Sequence, residues 1–569
     1  MKSILKLIFI GFVLLPVLLS GQNSEYDNVN RTLENRGEAV VEVFGTEAQL
    51  SEVARYLSFD KKNNPGSAIF YINTAGFLRL QESGLEYVLL PSPADLAHLS
   101  TTDVKSPEDI ENWDFYPDYD SYIEIVNGFA DTYPGLCTVY SIGKTVEGRD
   151  LMMIRISDNA GRDPGEPSML FTSSIHGDEL AGYVLMLHLA DYLLENYTIL
   201  PQVTRLVDSL DIWINPLANP DGAYFAGNNS VSGAKRFNAN NVDINRNFPD
   251  PEDGPHPDGN AWQPETEAFM ALAGQQNFTM AVNFHGGAEV FNYPWDTWSK
   301  LHADDAWWYE TGRRWADTVH QYGPPGYFTF LDNGVTNGYQ WYSISGGRQD
   351  YMNYFHHCRE VTLEISNIKL LPENQLEVFW EYNYRSFLNY MNQSLTGLKG
   401  MITDSVTGQP LAASIEFAGH DIDNSWVVSS NEDGWYFRPA MDGTYTVLVY
   451  ADGYAPKTIE AVQLSMDSSK RIDFALSPSA SGIDLPENSG ITGWFDPAAG
   501  EYVFQSESGF SANCSVILSD VSGKVWEPQL FFSADNCVVR FALPGDVGRM
   551  VIIRLRDDNY LIIQKLIRG

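Results

Sequence analysis

The sequence predicts an α/β chain: one large α/β domain, preceded by a smaller α/β module and followed by two all-β modules. Three observations predict it. Apolar runs of strand length alternate with longer helical runs from about 111 to 394. The same alternation recurs on a smaller scale between 38 and 91. After 398 the helical period stops, and short apolar runs are separated by Gly, Asp and Asn turns. At about 150 residues per domain, 569 residues allow three or four domains.

The order begins with a basic start, Met1 to Lys6, then an apolar run from Leu7 to Leu19 and the small residues Ser20 and Gly21. Residues 1–21 read as a signal peptide, because the run is shorter than the roughly 20 residues a membrane span needs. No Cys follows Gly21, so no lipid anchor is indicated, and no later stretch is apolar enough to span. The mature protein is expected to be secreted or held at the cell surface.

Residues 22–91 form the small module, with strands expected at Ala39–Phe44, Ala68–Ile72 and Tyr87–Leu90 and helices at Glu47–Leu57 and Ala75–Ser83. Residues 92–110, rich in Pro, Ser, Thr and Asp, read as a linker. The large domain, 111–394, has strand-like runs at Ser168–Thr172, Leu210–Ile214, Met280–Asn283 and Val361–Ile365. Helical runs include Leu180–Asn196 and Glu373–Asn392. Two all-β modules, 398–476 and 489–569, flank a second linker at 477–488.

Composition removes some function classes. Lys plus Arg is 36 against 74 for Asp plus Glu, a net charge of −38 that disfavours nucleic acid and anionic membranes as partners. Four cysteines are too few for a disulfide-framed scaffold, although Cys514 and Cys537 can pair in an oxidising compartment.

The chemistry starts at His176-Gly177-Asp178-Glu179, between a strand and a helix. His-x-x-Glu there can place an imidazole and a carboxylate on one cation, and zinc takes both ligand types. His285, at the end of another apolar strand and before Gly286-Gly287, offers a third ligand. Arg236, the stretch Asn245-Arg246-Asn247, the segment Tyr342 to Asp350 and Glu364 at the end of a further strand complete the set.

With these landmarks in order, residues 111–394 resemble the zinc metallocarboxypeptidases, especially the carboxypeptidase N/E branch. The resemblance implies a mixed central sheet flanked by helices and one Zn²⁺ held by His176, Glu179 and His285. It implies that Glu364 is the general base, that Arg236 stabilises the oxyanion, that Asn245 and Arg246 hold the substrate's terminal carboxylate, and that Tyr342 closes over it. Neighbours in a regular strand face opposite sides, so Asn245 and Arg246 can converge only if their segment is irregular. In this branch an Asp and a Gln select a basic terminal side chain, and Asp296 and Gln349 stand at the matching places. The substrates implied are peptide or protein C-termini ending in Lys or Arg. Two departures stand out. Arg348 replaces a usually apolar residue and would neutralise Asp296 if it pointed inward. Asp178 replaces a usual Asn.

Residues 398–476 resemble the transthyretin-like sandwich of the same branch, through Gly400 to Asp404, Thr407 to Leu411 and Asp433 to Tyr436. The N-terminal module resembles the prosegment of secreted carboxypeptidases, which implies cover over the cleft until a cut in 92–110, where Lys105 is the basic residue. Residues 489–569 resemble a type IX secretion sorting domain, which implies a contact with secretion machinery. Two other readings are a peptidoglycan-peptide carboxypeptidase and, in a different class, a catalytically silent surface-binding protein.

Overall fold

The computed structural model describes residues 24–104, 106–159, 165–478 and, in the tail, 491–496, 501–506, 508–511, 513–520, 524–542, 550–557 and 560–567. The expected signal peptide, the cut at Lys105 and most of the linker 477–488 lie outside the described residues.

Eight strands make the central sheet of the large domain. Their spatial order is Val335–Asn337, Ala288–Tyr293, Arg359–Ser366, Phe278–His285, Ser168–Ser173, Asp211–Asn215, Asp150–Ile156 and Cys137–Lys144. The four middle strands, from Arg359–Ser366 to Asp211–Asn215, run parallel. Antiparallel neighbours flank them, so the sheet is mixed, as expected. Helices cover both faces, which is why every residue of Phe278–His285 and Arg359–Ser366 is buried. The helix Ala181–Asn196 buries Val184, Leu185, Leu189 and Leu193 at helical spacing, and Leu376–Gln393 packs beside Asp305–Tyr322. Crevices in such sheets open at the carboxyl ends of the parallel strands, and His285 stands at one of those ends beside Glu364.

The N-terminal module is richer than its sequence suggested. Residues 24–36 form a helix, and Ser58–Asn64 forms the edge strand of a four-stranded antiparallel sheet. The order is Ser58–Asn64, Ser67–Ile72, Ala39–Phe44, Glu86–Leu90. The helix after Thr46 stops at Val53. One sheet face packs Val41, Val43 and Phe70 on the module's helices, and the other sets Val40, Ile69 and Tyr71 against Phe237 of the large domain.

The segment 92–110 is not a free linker. It carries a capped helical turn at Pro93–Leu96, and Leu99 is buried in the core of the large domain. Residues 397–476 form two small sheets around Leu398, Ile402, Ile415, Val447 and Phe474, the expected β-sandwich. The described tail strands form two further four-stranded sheets. All four cysteines are free thiols, so Cys514 and Cys537 are not bridged as the sequence had allowed, and Cys137 and Cys358 do not join either.

Buried charges join the large domain to the sandwich. Both carboxylate oxygens of Asp304 take hydrogen bonds from Arg438, at 2.8 and 2.9 Å. Arg359 Nη2 adds a bond of 2.7 Å, His420 Nε2 lies at 2.9 Å, and Arg438 also reaches Asp421 at 2.6 Å. Burial would raise the carboxyl of Asp304, but the two guanidinium groups override it and hold it well below the usual range. Asp304, His420 and Asp421 have ligand atoms close enough for a cation, but Arg438 already supplies the positive charge there.

Candidate active site

The strand Ser168–Ser173 ends in a turn where Ser174 takes a left-handed φ of 55° and its Oγ donates to the Glu179 carbonyl at 2.8 Å. This turn doubles the chain back, so His176 and Glu179 face one point. Gly177 is required here, because a Cβ on it would stand 2.4 Å from the carbonyl carbon of Gly222. The third side chain, His285, ends the neighbouring strand.

The ligand atoms converge tightly. His176 Nδ1 and His285 Nδ1 are 3.0 Å apart, and Glu179 Oε2 lies 3.1 and 2.9 Å from them. Burial pushes His285 down to about 4, so its imidazole is neutral and offers a lone pair. Three electron-rich atoms this close repel unless a cation lies between them, and two imidazoles with one carboxylate suit zinc. His176 Nε2 lies 3.0 Å from Asp243 Oδ1, which fixes the ring, as outer carboxylates do at zinc sites. The residues present therefore fit the metal.

Comparison with known proteins agrees. Residues 122–386 match the family model described as zinc carboxypeptidase, and residues 397–477 match the carboxypeptidase regulatory-like domain. The human carboxypeptidase N catalytic chain is 34% identical over 382 residues, covering 60% of this chain and 81% of that one. The chain belongs to the zinc carboxypeptidase family. Mouse carboxypeptidase D is 33% identical over 432 residues, 73% of this chain, yet the match spans only 31% of that longer protein.

The other site residues of this zinc carboxypeptidase surround the metal position. Glu364 pairs in register with His285, and its Oε2 is buried with no hydrogen-bond partner. Burial, then the neighbouring Glu179 carboxylate, pushes Glu364 up to about 8. Arg236 Nη1 donates to Glu179 Oε1 at 3.1 Å, and its Nε is shared between Ser58 and Asp243. Asn245 and Arg246 sit in a 3₁₀ turn, Ile244–Arg246, the irregular segment their convergence required. Arg246 keeps Nε and Nη2 buried and unpartnered, two donors suited to a carboxylate. Asn245, Arg246, Tyr342 and Asp296 all line the cavity that contains the metal ligands.

The specificity residues divide. Asp296 is buried in that cavity, accepts from Asn292 at 3.2 Å and makes no ion pair among the described residues. A Cβ on Gly338 would stand 1.8 Å from Asp296 Oδ1, so that glycine leaves room for the carboxylate. Burial pushes Asp296 up to about 7. Arg348 points the other way: it pairs with Glu360 at 2.9 Å and donates to Thr172, away from Asp296. Gln349 does not line the cavity. It lies behind Thr362, whose N–H donates to Gln349 Oε1 at 2.6 Å.

The resemblance implied that the module covers the cleft, but sequence reasoning named none of the module residues that reach it. Three consecutive residues of its edge strand reach into the cleft. Ser58 Oγ accepts from Arg236 at 2.8 Å, Phe59 packs on Tyr342 with ring centres 4.2 Å apart, and Asp60 pairs with Lys369 at 2.9 Å. Glu38 accepts from the N–H groups of Arg236 and Phe237, and Tyr71 donates to Asp178 at 2.7 Å. The free volume left in the cavity is about 20 Å³, room for about one water. Nothing local in Ser58-Phe59-Asp60 signals this role, and the resemblance of the module to a prosegment pointed to the cleft without naming residues.

Proposed function

We propose that the chain is an exported carboxypeptidase that removes C-terminal Lys or Arg from peptides and proteins. The observation that carries the side-chain preference is the unpaired, buried Asp296 at the wall of the cavity. A carboxylate taken out of water selects a partner that restores its charge balance, and the cation of a terminal Lys or Arg does so.

Zinc bound by His176, Glu179 and His285 supplies Lewis acidity to the scissile carbonyl and the attacking water. The protein's own groups do the rest. Arg246 and Asn245 hold the substrate's terminal carboxylate, which fixes the scissile bond near Glu364. Glu364 takes the proton from the attacking water and returns one to the leaving amine. Arg236 faces the negative charge that develops on the carbonyl oxygen. Tyr342 closes over the bound residue. The basic, then apolar start of the chain supports export.

The test compares kcat/KM on short peptides that differ only in a terminal Arg or Phe. Cleavage should favour Arg, stop with a chelator and return with added zinc. Asp296→Asn should remove most of the preference and leave cleavage of the Phe peptide little changed. Because Asp296 ionises near pH 7 and must be charged to pair, KM for the Arg peptide should fall as pH rises from 6 to 8. A preference for Phe in the wild type would overturn the basic pocket and keep the enzyme class.

The module 24–91 is proposed as a cover. Its hold on Arg236, Tyr342 and Lys369, with about 20 Å³ left free, supports that reading. A chain beginning at Ser92 keeps Leu99 in the core and should cleave peptides at least tenfold faster than the full chain. Equal rates would show that the module is a permanent accessory.

A further inference from the structure

Glu179 divides its two carboxylate oxygens between two tasks. Oε2 faces His176 Nδ1 and His285 Nδ1 and accepts from the Gly286 N–H at 3.1 Å. Oε1 accepts from Lys369 Nζ at 2.7 Å and from Arg236 at 3.1 Å. Arg236 is also engaged by Asp243 and Ser58, and the reaction draws on it elsewhere. Lys369 has no assigned step.

The fold makes a specific place for this lysine. It follows the strand that carries Glu364, and its carbonyl accepts from the Leu180 N–H at 3.0 Å, next to Glu179. Gly287, at φ +125°, leaves the space its side chain crosses, since a Cβ there would stand 3.2 Å from Lys369 Cε. The ammonium is buried, so it needs partners, and it has two: Glu179 and Asp60. With Asp60 beside it, the cation adds little net charge near the metal.

We propose that Lys369 is a positioning residue for the metal centre: by holding Glu179 Oε1, it fixes the orientation of the Glu179 carboxylate toward the two imidazoles. The inference rests on the zinc site described above. Outer partners that orient a ligand commonly contribute 10- to 100-fold in metal affinity.

The test measures the zinc dissociation constant by chelator competition and the visible spectrum of the Co²⁺ form, both on the full chain. K369M should weaken zinc binding by about 10- to 100-fold and change the Co²⁺ bands, which report ligand geometry. K369R, which keeps a cationic donor, should recover most of both. K369M/D60N should stay weak, because the stranded Asp60 is not the cause. Wild-type affinity and spectrum in K369M, or their return in K369M/D60N, would overturn the proposal. If K369M fails to fold, D60N/K369R carries the comparison, and a Co²⁺ spectrum changed from wild type toward that of a loosened carboxylate would count against it. A wild-type chain that binds no zinc would instead sink the metal centre itself.

Discussion

Replacing Glu364 with Gln should lower kcat/KM by about 10²- to 10⁴-fold while leaving one zinc per chain. Gln has the same shape, so the strand Arg359–Ser366 stays packed. What it loses is the carboxylate oxygen that is buried and unpartnered at the centre of the site. Burial, then the neighbouring Glu179 carboxylate, raises Glu364 above the usual carboxyl range. The measurement is turnover at matched zinc content, with binding of a non-cleaved Arg derivative as the control. Turnover near wild type with intact binding would remove Glu364 from the mechanism.

The second large effect lies away from the cleft. Arg438→Met should destabilise the protein by about 3–5 kcal/mol, because it takes the paired guanidinium from the buried carboxylate of Asp421 and removes two hydrogen bonds from Asp304. The urea midpoint of unfolding reports it, and a variant within about 1 kcal/mol of wild type would mean that Arg359 alone satisfies Asp304. The pH dependence has a definite sign. Asp304 is held well below the usual carboxyl range in the folded state, so its contribution is complete above about pH 4. That contribution is lost as pH falls through the folded value, and Arg438→Met should flatten the loss.

The metal centre was legible because its signals are local or lie at the ends of apolar runs. His176 and Glu179 are three residues apart, and His285 ends, and Glu364 lies two residues before the end of, buried parallel strands that the fold sets in register. The irregularity needed at Asn245 and Arg246 was legible from their Asn-rich segment. Where Arg348 points was not, since its partner Glu360 lies on the following strand and only packing brings them together. The bond from the Thr362 N–H to Gln349 was not legible for the same reason. Lys369 and Asp60 carried no signal, being single charges 309 positions apart (369 − 60) whose meeting depends on how two modules dock. The strand Ser58–Asn64 escaped notice because an edge strand with four exposed polar residues lacks the alternation of a half-buried one. The segment 92–104 has a loop's composition, yet Leu99 anchors it.

The strand Arg359–Ser366 begins at the charge cluster shared with the sandwich and reaches Glu364 five residues later, about 17 Å away. A cut between the large domain and the sandwich would take Arg438 away from Asp304, the carboxylate that also pairs with Arg359 at the start of this strand. The large domain and the sandwich therefore share one buried charge cluster, while the module before them is held through buried contacts at the cleft itself.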